Sequence, residues 1–166
     1  MILCKVEYMI KIIAVGRLKE KYLEDAAAEY RKRISAYSKL EVIRVPDEKC
    51  PENISEKQAA AIRDKEGAAI LKSIRDGEYV ITLEILGRSL SSGQFAAHLE
   101  QLAVSGRSDI TFVIGGSIGL SDAVIQRSDY HLSFSQMTFP HQLMYVILLE
   151  QIYRAYKIIK HEPYHK

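Results

Sequence analysis

Cysteine is scarce. Cys4 and Cys50 are the only two in 166 residues, too few and too far apart for a disulfide framework, and they form no metal-ligand spacing with histidine. They read as reduced thiols of a cytoplasmic protein, and no metal site is expected. Long apolar runs are missing too: none approaches the roughly 20 residues that a membrane-spanning helix needs, so no membrane association is expected. The first residues lack the uninterrupted apolar core of a signal peptide, because Lys5 and Glu7 break it, and no small-residue cleavage site follows. Nor is there an excess of charge of one sign. With 23 Lys and Arg against 21 Asp and Glu, the net charge is +2 and the isoelectric point is near 8.4. That permits a nucleic-acid partner without demanding one, and RNA binding would have to come from local patches. The chain also has no internal repeat or linker, no G-x-x-x-x-G-K-[ST] phosphate loop and no Ser-His-Asp arrangement.

What is present is 48% hydrophobic composition, enough for one domain with a substantial core. Strand-like sequence starts at Met9, itself a possible initiator, so residues 1–8 read as an N-terminal extension and 9–166 as the domain. Strand-like and helix-like segments then alternate, the order of an α/β domain built on a mostly parallel sheet flanked by helices. Strands are expected at 11–15, 40–45, 79–84, 109–114 and 130–134. A helix is expected over 20–36, where Tyr22, Leu23, Ala26, Ala27 and Tyr30 recur at helical spacing. Arg31, Lys32 and Arg33 at its end suit the helix dipole and are compatible with an RNA patch. Ser55 with Gln58, and Ser91 with Gln94, are capping boxes that open two further helices, one running to 74 and one to about 104. Two prolines keep 46–53 a loop, and Ser121 caps a short helical turn.

Two features invite a ligand. Gly115-Gly116-Ser117-Ile118-Gly119 follows a strand directly, and glycines let backbone approach a phosphate or ring closely. It is not G-x-G-x-x-G, however, and taken alone such a turn is more often a tight connection. The second feature is the hydroxyl-rich run 132–142, which ends in Pro140 and opens a helix over 141–156. In a parallel sheet the C-terminal strand ends share one rim, where ligands bind. Loops after Leu83, Ile114 and Phe134 are expected to converge there in a pocket of backbone groups, glycines and hydroxyls, suited to an uncharged heterocycle such as adenine. The last helix is apolar almost all round and must be covered on more than one face. The sheet is one cover and a second subunit the other, with burial inside one chain as the competing account.

Taken together, Ile10-Lys11-Ile12-Ile13-Ala14-Val15-Gly16-Arg17-Leu18-Lys19, Phe112-Val113-Ile114-Gly115-Gly116, the run 132–142, Glu150-Gln151-Ile152-Tyr153-Arg154-Ala155 and the tail Glu162-Pro163-Tyr164-His165-Lys166 resemble the SPOUT methyltransferases. The closest resemblance is to the ribosomal large-subunit pseudouridine methyltransferase H family. It implies an α/β domain with a C-terminal trefoil knot, a homodimer, and S-adenosylmethionine as cofactor. It further implies methylation of N3 of a pseudouridine in 23S ribosomal RNA. Carried onto matching positions, the cofactor site uses Leu83, Gly115, Phe134, Ser135, Gln136, Met137, Thr138 and Phe139. For substrate contact or proton relay the candidates are His141, Arg154, Tyr164 and His165, the last two across the dimer interface. Arg154 is read as a phosphate or substrate contact, the alternative being an ion pair with Glu150 four residues earlier.

Two positions depart from the family's pattern. Tyr145 stands where the family usually has Arg, which removes a cation, and His161 stands where it usually has Gly, before the tail. No segment reads as an appended RNA-binding domain, which favours a substrate presented by the assembled ribosome. Two other readings are a noncatalytic ribosome-binding module of the same fold and a methyltransferase acting on transfer RNA.

Overall fold

The structure, a computed structural model, describes residues 8–164. Residues 1–7 of the expected extension and the candidate His165 lie outside the described residues. Tyr8 is already the first residue of the first strand, where its buried ring meets Tyr156 edge-on with centroids 5.2 Å apart.

Five parallel strands, β1 (Tyr8–Val15), β2 (Ser38–Val45), β3 (Tyr79–Ser89), β4 (Asp109–Ile114) and β5 (Tyr130–Ser133), form one sheet in the order β2-β1-β4-β3-β5. Helices α1 (Lys21–Ile34), α3 (Ser92–Val104) and α5 (His141–Ile159) pack on one face, and α2 (Glu56–Lys72) and α4 (Asp122–Arg127) on the other. The central strand shows why. Ile10, Ile12 and Ala14 point into the first layer and Ile13 and Val15 into the second, so β1 is apolar on both faces, as a doubly covered strand must be. Its one charge, Lys11, is buried but satisfied: Nζ lies 2.6 Å from Glu78 Oε1 and donates to the Ser73 carbonyl at 2.8 Å.

Both expected capping boxes form, with the Ser55 and Ser91 hydroxyls accepting from the backbone N–H of Gln58 and Gln94. Ser121 caps α4 through the Val124 N–H. β3 runs five residues past its expected end. It pairs with β5 up to Leu83, bulges out over 84–87, and resumes pairing at Arg88 and Ser89 opposite Leu132 and Ser133. Gly87 permits this, since a Cβ there would stand 2.8 Å from the His131 carbonyl oxygen.

The apolar girth of α5 is met mainly within the chain. The helix packs against α1, α3 and the sheet, and Tyr145, Val146, Leu148, Leu149, Ile152, Ala155 and Tyr156 are all buried. The account by burial inside one chain thus covers most of the helix. An outward stripe remains, with Leu143 and Ile158 exposed and Ile147 and Arg154 half-buried.

Candidate active site

The carboxyl ends of β4, β3 and β5, adjacent in the sheet, enclose a cavity of about 850 Å³. Its walls come from the β3 bulge (Leu83, Glu84, Ile85, Leu86), the turn after β4 (Gly115, Gly116, Ser117, Gly119, Leu120) and the segment after β5 (Phe134, Ser135, Met137, Thr138, Phe139, Pro140), closed by His141 and Met144. The three loops expected to converge do so. Of the eight residues assigned to cofactor binding, Leu83, Gly115, Phe134, Ser135, Met137, Thr138 and Phe139 line the cavity and Gln136 does not. Sequence reasoning passed over Glu84 and the apolar pair beyond it. The signal was there in Gly87, which interrupts the strand's pattern.

Local chemistry sets each wall. In the glycine turn Gly119 has φ +87° and its N–H donates to the Gly116 carbonyl at 3.2 Å. The turn is folded so tightly that a Cβ on Gly115 would lie 3.0 Å from the Gly119 carbonyl carbon and from Leu120 Cδ2. Gly116 rests on α2, where its Cβ would stand 3.1 Å from a carboxylate oxygen of Glu66. After β5, Ser133 Oγ donates to the Ile85 carbonyl at 2.9 Å and so ties that segment to the bulge. Ser135 Oγ accepts from the Met137 N–H at 2.9 Å and curls the loop on itself. Glu84 is held by His131, whose Nδ1 lies 2.7 Å from its carboxylate, and by the hydroxyl of Thr82. Leu86, 97% exposed, and Met137, 74% exposed, stand at the mouth.

The candidates for substrate contact separate into two places. His141 opens α5 at the edge of the cavity, beside Gly16, whose Cβ would lie 3.4 Å from the imidazole Nε2. Burial pushes its pKa below the ordinary value, Asp47 works against that, and Lys19 and Arg44 reinforce it. Its ring is neutral near pH 7 and offers a lone pair. Arg154 lies 13 positions along the same helix, about 20 Å away at 1.5 Å per residue. There it pairs with Glu150, the alternative the sequence left open, and its guanidinium lies 4.6 Å over the Tyr164 ring. Tyr164 donates to Glu150 Oε1 at 3.1 Å, and burial, reinforced by the Glu150 charge, pushes its phenol up to about 12. Both Arg154 and Tyr164 therefore keep their protons at neutral pH, and neither touches its own chain's cavity.

The tail that carries Tyr164 is fastened. Glu162 accepts from Lys157 at 2.7 Å and from the Tyr37 hydroxyl, and Tyr164 meets Tyr153 edge-on at 4.8 Å. Tyr145, expected to leave a cation missing, is buried in the first layer, with the Arg44 guanidinium 4.0 Å above its ring.

A parallel sheet with its pocket at the carboxyl ends of three neighbouring strands, walled by a glycine turn and a hydroxyl loop, is the arrangement the resemblance leads one to expect. The family model described as "Predicted SPOUT methyltransferase" matches residues 8–165, so the chain belongs to the SPOUT methyltransferases. Similarity to curated proteins is closer still. It is 54% identical over 157 residues to the ribosomal RNA large subunit methyltransferase H of Enterococcus faecalis (strain ATCC 700802 / V583), covering 95% of this chain and 99% of that protein. The protein of the same name from Alkaliphilus oremlandii (strain OhILAs) is 57% identical over the same shares. Within the class, the chain falls in the ribosomal RNA large subunit methyltransferase H family. Among solved structures, one from Bordetella pertussis Tohama I described as a probable methyltransferase superposes with a TM-score of 0.53 at 13% identity, over 91% of this chain and 97% of that one, a likeness of fold.

Proposed function

We propose that this protein is an S-adenosylmethionine-dependent methyltransferase acting on N3 of a pseudouridine in 23S ribosomal RNA, in the cytoplasm and on the assembled ribosome. The observation that carries the reading is the cavity at the ends of β3, β4 and β5, in a chain more than half identical to full-length relatives named for ribosomal RNA methylation. The residues fit the cofactor. Leu83, Leu120, Phe134 and Phe139 offer apolar surface for an adenine, while backbone groups of the glycine turn and the hydroxyls of Ser135 and Thr138 edge it. The volume lies within the usual range for sites that hold molecules of this size.

When bound, S-adenosylmethionine supplies a methyl group already activated by its sulfonium. The protein's work is placement and proton removal. The walls orient the acceptor nitrogen and exclude water, and placement alone contributes several kcal/mol to such a reaction. N3 of the base carries a proton that must leave, and His141 is the side chain at the cavity with a neutral imidazole to receive it. Arg154 and Tyr164, protonated and remote from their own cavity, serve the substrate bound to a partner subunit in a homodimer formed through the outward stripe of α5. Threading of the C-terminal segment into a trefoil knot is part of the same reading.

Incubation with methyl-labelled S-adenosylmethionine and either free large-subunit RNA, whole ribosomes or transfer RNA tests the proposal. Label in ribosomal RNA, mapped by mass spectrometry to N3 of a pseudouridine, is the expected result. Label in transfer RNA alone identifies the other substrate, and ribosome binding with no transfer, unchanged in Gly115→Arg, identifies a noncatalytic module.

A further inference from the structure

Arg44, next to last in β2, carries a half-buried guanidinium that is poorly accounted for by its own chain. Its ring partner is Tyr145 at 4.0 Å, whose hydroxyl also interacts favourably with it, and it donates a long hydrogen bond, 3.4 Å, to the Gly16 carbonyl. Among the described residues no carboxylate forms an ion pair with it, and the one formal charge that acts appreciably on it is the cation Arg31. A desolvated guanidinium is costly without an anion, and this one also feels a like charge. Yet it is positioned by a ring on one side and by the Gly16 carbonyl at one N–H, and a guanidinium is the side chain suited to receive an oxyanion through two parallel hydrogen bonds. The place is equally specific. Gly16 links Arg44 to His141, and Lys19, whose backbone N–H is fixed by the Gln142 side chain at 2.8 Å, stands on the same rim. Asp47 is the acid facing this corner, and its influence falls on His141.

We infer that Arg44, seated over the Tyr145 ring, is a phosphate anchor for the RNA strand, binding a backbone phosphate next to the nucleotide whose base enters the cavity. The cation expected on α5 at position 145 is supplied from β2 instead. Tyr145 is then the platform that orients it. This inference rests on the reading of the protein as an RNA methyltransferase, and its test is built to fail separately from that reading.

The test compares wild type, Arg44→Gln and Arg44→Lys in binding to purified whole ribosomes across a salt series, alongside binding of S-adenosylmethionine and thermal unfolding. In Arg44→Gln, ribosome affinity is expected to fall roughly tenfold, with the slope of log affinity against log salt shallower by about 0.7–0.9, the loss of one phosphate contact. Cofactor affinity and melting temperature stay near wild type. Arg44→Lys, which keeps the charge but not the fork, keeps the slope and loses part of the affinity, and it serves if the Gln variant does not fold. An unchanged salt slope in Arg44→Gln overturns the inference, whether affinity falls or not, because a stacking role alone is not screened by salt. Ribosomes that bind but are not methylated overturn the proposed activity and leave this comparison decisive. Wild type that does not bind ribosomes overturns both.

Discussion

His161 is the clearest case in which one residue type works against the local backbone. It follows the last turn of α5 with φ +54°, while its N–H donates to the Ile158 carbonyl and that of Glu162 to the Lys157 carbonyl, a helix stop that ordinarily places Gly in the left-handed position. A side chain there costs about 1–2 kcal/mol, and the extra chain entropy of Gly takes back about 0.4–1 kcal/mol, so His161→Gly is expected to stabilise the protein by roughly 0.5–1 kcal/mol, as read by urea unfolding. Tyr145 reverses the expectation attached to it. With its side chain buried beneath Arg44, Tyr145→Arg would press two guanidiniums together, and a loss on the order of 3 kcal/mol is expected. Adding Arg44→Glu should recover much of that loss, and equal unfolding midpoints for the single and double variants would refute the pairing. For His141 the argument concerns pH. Its pKa is lowered from the ordinary 6.5, first by burial, so the acid limb of kcat/KM should fall below pH 6.5. Asp47→Asn, which removes the one influence raising that pKa, should move the limb lower still, and His141→Asn should abolish it. Both departures were visible in the sequence as unusual residues. Their consequences were not, because they depend on Arg44 and on a backbone angle.

At the scale of elements, what depends on neighbours in sequence was legible and what depends on neighbours in space was not. The two capping boxes and the bounds of β4 needed only local signals, and they form where the sequence puts them. The extension of β3 beyond Leu83 needed β5, since Arg88 and Ser89 have no strand character until Leu132 and Ser133 lie beside them. The same holds for α5, whose apolar surface gives no hint of how much α1 and α3 will cover. The bulge has a direct test. In Gly87→Ala the new methyl would sit within 2.9 Å of three backbone atoms of β5, so the second half of β3 must move away. Because 84–86 form a wall of the cavity and Ser133 is tied to Ile85, the expected result is a loss of about 2 kcal/mol in stability together with weakened S-adenosylmethionine binding. Calorimetric titration at a temperature where the variant remains folded separates the two effects. Normal cofactor affinity there would show that the bulge shapes the sheet and not the pocket.

For the whole molecule, the decisive fact is that one chain does not bring its functional candidates together. The cavity with His141 stands at one end of α5, and Arg154 with Tyr164 about 20 Å away at the other. The sequence already implied that separation, since His141 and Arg154 stand 13 positions apart on one expected helix, but it could not show that the tail folds back so that Tyr164 joins Arg154 on Glu150. If the two groups serve one reaction, they belong to different subunits, and a two-fold axis would place each tail at the partner's cavity. Complementation tests this. Gly115→Arg should disable the cavity and Arg154→Ala the tail, each leaving a homodimer with little activity. Unfolded and refolded together in equal amounts, they should give about half mixed dimers, each with one site made of an intact cavity and an intact tail, and hence roughly a quarter of wild-type activity. Activity no higher than the average of the two parents would place Arg154 outside the partner's site and confine it to bracing Glu150 and Tyr164 within its own chain. A quarter-restored rate would instead make the site a property of the pair of subunits, explaining why α5 keeps an outward stripe of Leu143, Ile147 and Ile158 after α1, α3 and the sheet have covered the rest.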